Sequence, residues 1–214
     1  MKDTDFTAVF AVVADQRRSR RAPDAVPAAL AALAGLPAQG LLLGFERTAG
    51  DEIQGLLASP QLLVRVVSLL AREGQWRIGV GVGPVDTPLP GSTRAARGEV
   101  YVAARAAVEA ARTQPPGVAV RQAAGPMDDP ASPAWQAETA LLLWVHLLAR
   151  RSAAGWEICD LLDRGLANRA AAAALGISPS AASQRAARAA YAEGRRGAEL
   201  VARLLARAAL AGPT

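Results

Sequence analysis

The sequence predicts a mixed α/β protein of the α+β type, in which a sheet domain precedes a small all-helical domain. Apolar runs with strand periodicity alternate with amphipathic helical segments as far as residue 122, and only helical patterns follow. The 214 residues are enough for one medium-sized domain and one small one, and 51% of them are hydrophobic, which is sufficient for a core.

The first half of the chain shows strand and helix signals in the order β-α-β-β-α-β-α-β. Compact or alternating apolar runs predict strands at 7–14, 40–47, 52–57, 75–85 and 117–122. Proline starts, glycine ends and apolar spacing predict helices at 23–36, 60–73 and 99–112. Glycines alternate with Trp76, Ile78, Val80 and Val82, which predicts close backbone approach on the glycine face of that strand. The order contains the βαββαβ unit of a ferredoxin-like sheet, with a helix and a strand appended.

The second half is predicted to be helical after a linker at residues 125–133. A long helix at 133–151 either docks back on the sheet or pairs with a second subunit. Further helices are predicted at 156–163, 166–175, 179–193 and 195–210. The predicted organisation is therefore a sheet domain at 1–124, a linker and connecting helix at 125–154, and a helical domain at 155–214.

The net charge is concentrated in the last quarter of the chain. Residues 1–162 carry 16 basic and 16 acidic side chains, whereas residues 163–214 carry 8 arginines and 3 acidic side chains, which gives the whole formal charge of +5. A basic segment attracts phosphates and gains from counterion release when it binds nucleic acid. A solvated helical face would have the same composition.

The scarcity of cysteine and histidine, and the shortness of the apolar runs, disfavour several classes of protein. Cys159 is the single cysteine, which excludes an internal disulfide and favours a buried thiol. His146 is the single histidine and lies in an apolar helical run, so a Ser-His-Asp triad is not expected. Asp3 and Asp5 precede the first apolar run, which argues against a signal peptide. Since no apolar run has the length of a membrane span, we expect a cytoplasmic protein that contacts no membrane.

Residues 166–188 have the pattern of a helix-turn-helix unit. Ala172 lies four residues before Gly176, where the second helix would cross the first closely, and Gly176 suits a turn residue with positive φ. Ser178 is a favourable N-cap and Pro179 a favourable first helical residue. A helical hairpin in an alanine-rich bundle is the alternative.

The second helix of this unit would present a polar face to double-stranded DNA. Ala182 and Ala186 would face inward, so the polar side chains of the helix would face outward. Glutamine can pair with adenine, arginine with guanine, and serine with phosphate. The candidate DNA-binding residues are Ser178, Ser180, Ser183, Gln184, Arg185 and Arg188. A single unit binds weakly, so helices 133–151 and 195–210 are candidates for a homodimer interface that presents two units to successive major grooves.

Three carboxylates of the sheet domain are expected to converge. Asp15 follows the first predicted strand, and Asp51 and Glu52 lie at the tip of the hairpin that pairs beside it. Such a group could bind Mg²⁺ on the phosphates of a nucleotide. Gly50 would let the hairpin backbone approach a ligand, and phosphate contacts could come from Arg17, Arg18, Arg20 and Arg77. Ordinary turn chemistry would also place aspartate and glycine at these positions.

Four motifs in this order resemble the SatD family over roughly residues 8–112. They are Asp15-x-x-x-Ser19-Arg20, Gly50-Asp51-Glu52-Ile53-Gln54-Gly55, the Gly-rich strand from Arg77 to Gly83, and Ala103-Ala104-Arg105. The resemblance implies a cytoplasmic bacterial protein, often with a C-terminal helix-turn-helix, and adds Ser19, Gln54 and Arg105 to the candidate nucleotide-binding residues.

The hairpin also resembles the palm domain of diguanylate and class III nucleotide cyclases. Ala49-Gly50-Asp51-Glu52-Ile53 falls on their Gly-Gly-Asp-Glu-Phe turn. This resemblance implies a palm fold in which Asp15 and Asp51, with Glu52 as a third candidate, would hold metal on a nucleoside triphosphate. Helix 23–36 carries no Asn, and its only Asp is Asp24 at the start, so the resemblance supports a nucleotide-binding palm better than an active cyclase.

Three hypotheses follow from the sequence. The leading one is a dimeric DNA-binding transcriptional regulator whose palm-like domain senses a nucleotide, alone or with Mg²⁺. The second is a Mg²⁺-dependent nucleotide cyclase or other phosphoryl-transfer enzyme that uses Asp15 and Asp51. The third is a palm-like dimerisation scaffold with an empty site.

Overall fold

The computed structural model describes residues 8–124 and 128–211. Thr7, at the start of the first predicted strand, and residues 125–127 of the predicted linker lie outside the described residues. The described chain forms a five-stranded mixed sheet and eight helices, which confirms the mixed α/β architecture. The strands are β1 (Val9–Gln16), β2 (Leu41–Arg47), β3 (Glu52–Leu57), β4 (Trp76–Gly83) and β5 (Val118–Gln122).

The strand order across the sheet is β2-β3-β1-β4-β5. β1 lies in the middle and pairs antiparallel with both β3 and β4, whereas β5 pairs parallel with β4. The helices are α1 (Val26–Ala34), α2 (Pro60–Glu73), α3 (Glu99–Ala110), α4 (Pro133–Ala149), α5 (Ala153–Asp163), α6 (Asn168–Ala174), α7 (Pro179–Arg188) and α8 (Tyr191–Leu210).

Both faces of the sheet are covered by helices, but by different ones. Because successive strand residues point to opposite faces, Phe10 and Val12 pack in one core with α1, α2, α4 and α8. The alternate residues of the same strand, Val9, Ala11 and Val13, pack in a second core against α3. Helix α3 therefore covers one face of β1, and by the same alternation that face carries the side chain of Asp15.

Helices α4 and α8 complete the larger core. Leu141 of α4 and Val201 and Leu205 of α8 are fully buried with the sheet residues. The Trp144 indole donates a hydrogen bond of 2.8 Å to the Gly194 carbonyl, which joins the two helices. The inner face of the long helix α4 therefore docks back on the sheet, which is one of the two predicted alternatives. The outer faces of α4 and α8 remain exposed to other contacts.

The glycine face of β4 is where α3 approaches most closely, as the sequence predicts. A Cβ added at Gly79 would overlap the backbone of Val108, and one added at Gly81 would overlap the backbone of Val100. Both strand positions therefore require glycine because helix backbone occupies the space that a side chain would take.

Two of the differences from the predicted element boundaries affect candidate functional residues or a helix break. β1 continues to Gln16, so Asp15 lies within the strand and not after it. Helix α7 ends at Arg188 and α8 begins at Tyr191, because the chain turns at Ala190, where φ is 47°. The predicted break near Gly194 is wrong: that glycine lies inside α8, where the small residue allows Arg151 to pass close to the helix.

Within residues 8–124 and 128–211, no helix has both the length and the apolar character that crossing a membrane requires.

Candidate functional site

Helices α5, α6 and α7 form a three-helix unit with a small core of its own. Ile158, Ala171, Ala172 and Ala182 are buried together at its centre. The alanines let the helices approach closely, and larger side chains close the edges of the core: Leu161, Leu162, Leu166, Leu175 and Ile177. The residues that predict a helix-turn-helix from the sequence thus pack against one another in the structure.

The turn between α6 and α7 has the local chemistry that the sequence predicts. Gly176 adopts a φ of 64°, a conformation that favours glycine. The Ser178 hydroxyl caps α7 by accepting a hydrogen bond of 3.1 Å from the Ala181 amide. Asn168 adds a connection that sequence reasoning missed, since its side-chain amide donates to the Pro179 carbonyl at 2.9 Å and to the Ser183 hydroxyl at 3.0 Å.

Helix α7 presents one continuous exposed face. Ser180, Ser183, Gln184 and Arg188 are exposed, whereas Ala182 is buried. The other two candidates are placed differently: Ser178 uses its hydroxyl as the cap, and Arg185 is half-buried and lies 3.9 Å from Glu157 of α5. The face is therefore polar and carries arginine and glutamine, the side chains that contact base edges most often in a major groove.

The three-helix unit is held against the sheet domain through Trp156. The guanidinium of Arg72, on α2, lies 5.0 Å from the centre of the indole ring, and that of Arg151 lies 4.8 Å from it. Arg72 also forms an ion pair of 2.8 Å with Asp160, and Arg151 donates to the Ala189 carbonyl at 2.9 Å. Arg72 thus connects α2 with α5, and Arg151 connects the end of α4 with the end of α7.

Of the three carboxylates predicted to converge, Asp15 and Glu52 lie on adjacent strands, and each has an arginine partner. Asp15 and Glu52 are register partners on β1 and β3. Asp15 lies 3.3 Å from Arg77 and 3.7 Å from Arg112, and Glu52 lies 2.5 Å from Arg105. The structure therefore pairs two predicted metal ligands with two predicted phosphate contacts, Arg77 and Arg105.

Burial has the strongest influence on the pKa of Asp15. Burial raises the pKa of Asp15, the charge of Asp51 raises it further, and Arg112 and Arg77 lower it without cancelling the increase. Asp51 at the hairpin tip is thus close enough to act on Asp15. These surroundings disfavour the charged form of Asp15 relative to that of an exposed aspartate.

The stability of the protein is predicted to depend on pH through Asp15. Its pKa lies above the ordinary 3.8 in the folded protein, so its favourable contribution is complete at pH values below 3.8 and is lost as the pH rises through the folded value. Asp15→Asn should therefore lose less free energy of unfolding than the wild type over that rise. Urea denaturation at a series of pH values measures this, with the exposed Asp86→Asn as control. Equal pH profiles for wild type and Asp15→Asn would contradict the prediction.

The other predicted nucleotide-binding residues have varied surroundings. The Arg17 guanidinium donates to the Trp76 and Pro116 carbonyls, and burial lowers its pKa. Gln54 is buried and donates to the Thr93 carbonyl at 3.0 Å, which fastens the loop before α3 to the sheet. Ser19 and Arg20 lie in the turn after β1, and Gly50 is exposed with open space around its Cα. Arg17 and Gln54 thus serve the fold, while the remaining three positions leave room for a ligand.

The donor set does not fit a divalent cation as it stands. Within the described residues no three His, Cys, Asp or Glu side chains are grouped closely enough to hold a metal ion. The oxygens of Asp15 and Glu52 that would face Mg²⁺ face guanidinium groups instead. An anion bridged by arginines suits this charge arrangement better than a metal bound by carboxylates.

Two functional candidates escaped the sequence analysis. Arg112 lies seven residues after Arg105 and therefore on the same face of the helical segment, a spacing that could have identified it. Gln16 is buried and holds the loop after β1 by accepting from the Ala25 amide at 3.0 Å and donating to the Pro23 carbonyl at 2.7 Å. Strand periodicity gave no signal for a buried glutamine at that position.

Comparison with known proteins gives no match: no family model matches the sequence, and neither the curated proteins nor the solved structures yield a significant similarity. Function must therefore be inferred from the side chains and their surroundings.

Proposed function

We propose that this protein is a DNA-binding transcriptional regulator in which α7 enters the major groove. The observation that carries the proposal is the exposed face of α7, where Ser180, Ser183, Gln184 and Arg188 stand clear of the core formed by α5 and α6. Helix α7 is capped by Ser178, held at its start by Asn168, and packed on buried alanines of the three-helix core. It therefore has the rigidity that base recognition needs. A cytoplasmic location is part of this proposal.

The surface charge supports the same function. Of the eight arginines in residues 163–214, seven are exposed: Arg164, Arg169, Arg188, Arg195, Arg196, Arg203 and Arg207. Such a surface attracts the phosphate backbone and makes binding dependent on salt. Base contacts by α7 would then add sequence preference to that general affinity.

The proposal is tested by selecting duplexes from a random pool with the full chain and measuring their affinity by fluorescence polarisation. A regulator should prefer the selected duplex to a random one and should bind both more weakly as salt is raised. Equal affinity for selected and random duplexes would reject a sequence-specific regulator, and an absence of binding at low salt would reject a DNA-binding function.

We also propose that the regulator is a homodimer formed through the outer faces of α4 and α8. Glu138 is the single charged side chain of α4, and it is engaged by the Val120 amide at 2.7 Å and by Arg121 at 2.6 Å. The outer faces expose Leu143 at 68% and Leu200 at 52%. The apolar outer face of α4 is the kind of surface that is usually covered, and the exposed side chains of Arg196, Glu199 and Arg203 around Leu200 add charges of both signs at its edge.

Leu143→Arg is predicted to convert a dimer into a monomer, because two copies of the new charge would face each other across the symmetry axis. Light scattering after size-exclusion chromatography gives the mass directly. Val102→Arg is the matched control, since Val102 is 72% exposed but lies on α3, on the other face of the sheet. A wild-type mass of one chain, or a dimer that survives in Leu143→Arg, would reject this interface.

For the sheet domain we propose a palm-like fold that senses a nucleotide. The order β2-β3-β1-β4 with antiparallel neighbours supports it, as do the SatD-like and cyclase-like motifs around Gly50. Arg77, Arg105 and Arg112 would exchange carboxylate partners for phosphate oxygens. Thermal shift against a panel of nucleotides, with and without Mg²⁺, tests this proposal. If no nucleotide raises the melting temperature, the sensor is rejected in favour of a dimerisation scaffold with an empty site.

An enzyme remains the second candidate because Asp15 and Glu52 are register partners on adjacent strands and the charge of Asp51 acts on Asp15. Incubation with each nucleoside triphosphate and Mg²⁺ or Mn²⁺ separates the two candidates. Turnover that disappears in Asp15→Asn and Asp51→Asn would establish the enzyme, whereas stabilisation without turnover would support the sensor.

A further inference from the structure

Three arginines from two parts of the chain line one groove beside α7. Arg150 follows α4, whereas Arg185 and Arg188 belong to α7. The groove has a volume of about 390 Å³, and its floor is open because the other lining side chains are small or polar: Ser152, Ala154, Gly155, Ala181, Gln184 and Ala189.

The charges around the groove favour an anion. Arg150 and Arg188 are exposed, and Arg185 is half-buried with Glu157 as its partner at 3.9 Å. That distance is long for an ion pair, and the Glu157 side chain is 57% exposed, so the pair is open to exchange. Guanidinium groups bind phosphate oxygens through two parallel hydrogen bonds, which Glu157 does not supply to Arg185 here.

We propose that this groove binds a phosphate of the DNA backbone next to the bases that α7 contacts. The inference depends on the proposed DNA-binding function and names one of its contacts. Gln184 and Arg188 border the groove and also belong to the exposed face of α7. A DNA strand whose base edges face α7 would therefore carry its sugar-phosphate chain across the groove, and such contacts fix the register of a protein on the duplex.

Arg150 connects the groove to the sheet domain, so the proposed DNA binding can respond to that domain. It follows directly on α4, which packs against the sheet and α8. Arg150 thus moves with the sheet domain, whereas Arg185, the second group that contacts the phosphate, moves with α7. Arg188 borders the groove and is left for a base contact. The affinity for DNA then depends on the position of α4 relative to α7, which a ligand of the sheet domain could change.

The experiment measures the salt dependence of binding for the wild-type chain, Arg150→Ala and Arg65→Ala. Arg65→Ala removes the same charge from the exposed side of α2, in the sheet domain. Arg150→Ala should weaken binding roughly tenfold on selected and random duplexes alike, and should reduce the slope of log K against log salt by about one. Arg65→Ala should change both quantities much less.

A second variant tests the groove by the opposite change. Glu157→Gln removes the negative charge beside Arg185 and should strengthen binding to every duplex about threefold, while Glu99→Gln on the exposed side of α3 should not. Arg150→Ala that behaves like Arg65→Ala, or a loss confined to the selected duplex, would overturn the phosphate site and leave the DNA-binding function in place. A wild type that binds no DNA would overturn the function itself, and the phosphate site with it.

Discussion

Replacing Gln184 and Arg188 together with alanine is expected to remove most of the sequence preference of the protein for its selected duplex. Both side chains are exposed on the same face of α7 and touch nothing that holds the three-helix core together. A good contact to a base edge gives about 1–3 kcal/mol of discrimination, so losing two should reduce the preference by a factor of roughly thirty or more.

The measurement compares polarisation titrations on the selected and random duplexes at one salt concentration. Affinity for the random duplex should fall much less, since only one charge is lost from a surface with seven exposed arginines in residues 163–214. Asn168→Ala is a second variant to compare. It removes two hydrogen bonds at the start of α7 and leaves the exposed residues Gln184 and Arg188 in place. If the double variant keeps its preference and its melting temperature, α7 is not the recognition helix.

The connection between the two parts of the molecule lies at Trp156. Its ring is contacted by the guanidinium groups of Arg72 on α2 and of Arg151 after α4, and Arg151 also donates a hydrogen bond to the Ala189 carbonyl where α7 ends. A displacement of α2 would therefore act on α5 through Trp156 and Asp160, and a displacement of α4 would act on α7 through Arg151. A ligand that displaced α2 or α4 would therefore act on α7, which is what the proposed sensor requires.

Sequence patterns were sufficient where a feature is local. The turn at Gly176, the cap at Ser178 and the alternation of β4 depend on neighbouring residues, and the structure has all three. The pairing of Asp15 with Arg77 depends instead on the register of two distant strands, and the groove at Arg150 depends on how α4 meets α7. No periodicity within one segment contains that information.

Gly194 illustrates the same limit from another side. A glycine late in an alanine-rich segment predicts a helix end, but this one serves the close approach of α8 to α4, where Arg151 and Trp144 contact it. Glycine permits both outcomes, and only the tertiary contacts decide between a break and a close helix crossing.

Gly81→Ala is expected to have the largest effect on stability of any single methyl added to the sheet. Its new Cβ would overlap the carbonyl of Val100 and the amide of Ala104, both in the backbone of α3, which cannot rotate away as a side chain can. Forcing a methyl into a packed interface costs about 1–3 kcal/mol and sometimes more, and we expect the upper end because the obstructing atoms are backbone. Gly79→Ala should behave similarly, since Val108 and Ala104 obstruct it.

The control is Gly44→Ala in β2, where an added Cβ meets nothing within 4 Å. That change should be neutral or stabilise the protein by about 0.4–1 kcal/mol, because alanine has less freedom than glycine in the unfolded chain. Urea denaturation compares the three variants, and a Gly81→Ala midpoint equal to that of Gly44→Ala would mean that α3 is not packed on β4 as described. Since α3 carries Arg105 and leads into Arg112, its displacement should also weaken the proposed nucleotide binding. The proposed DNA binding by α5, α6 and α7, which have a separate core, should be nearly unchanged.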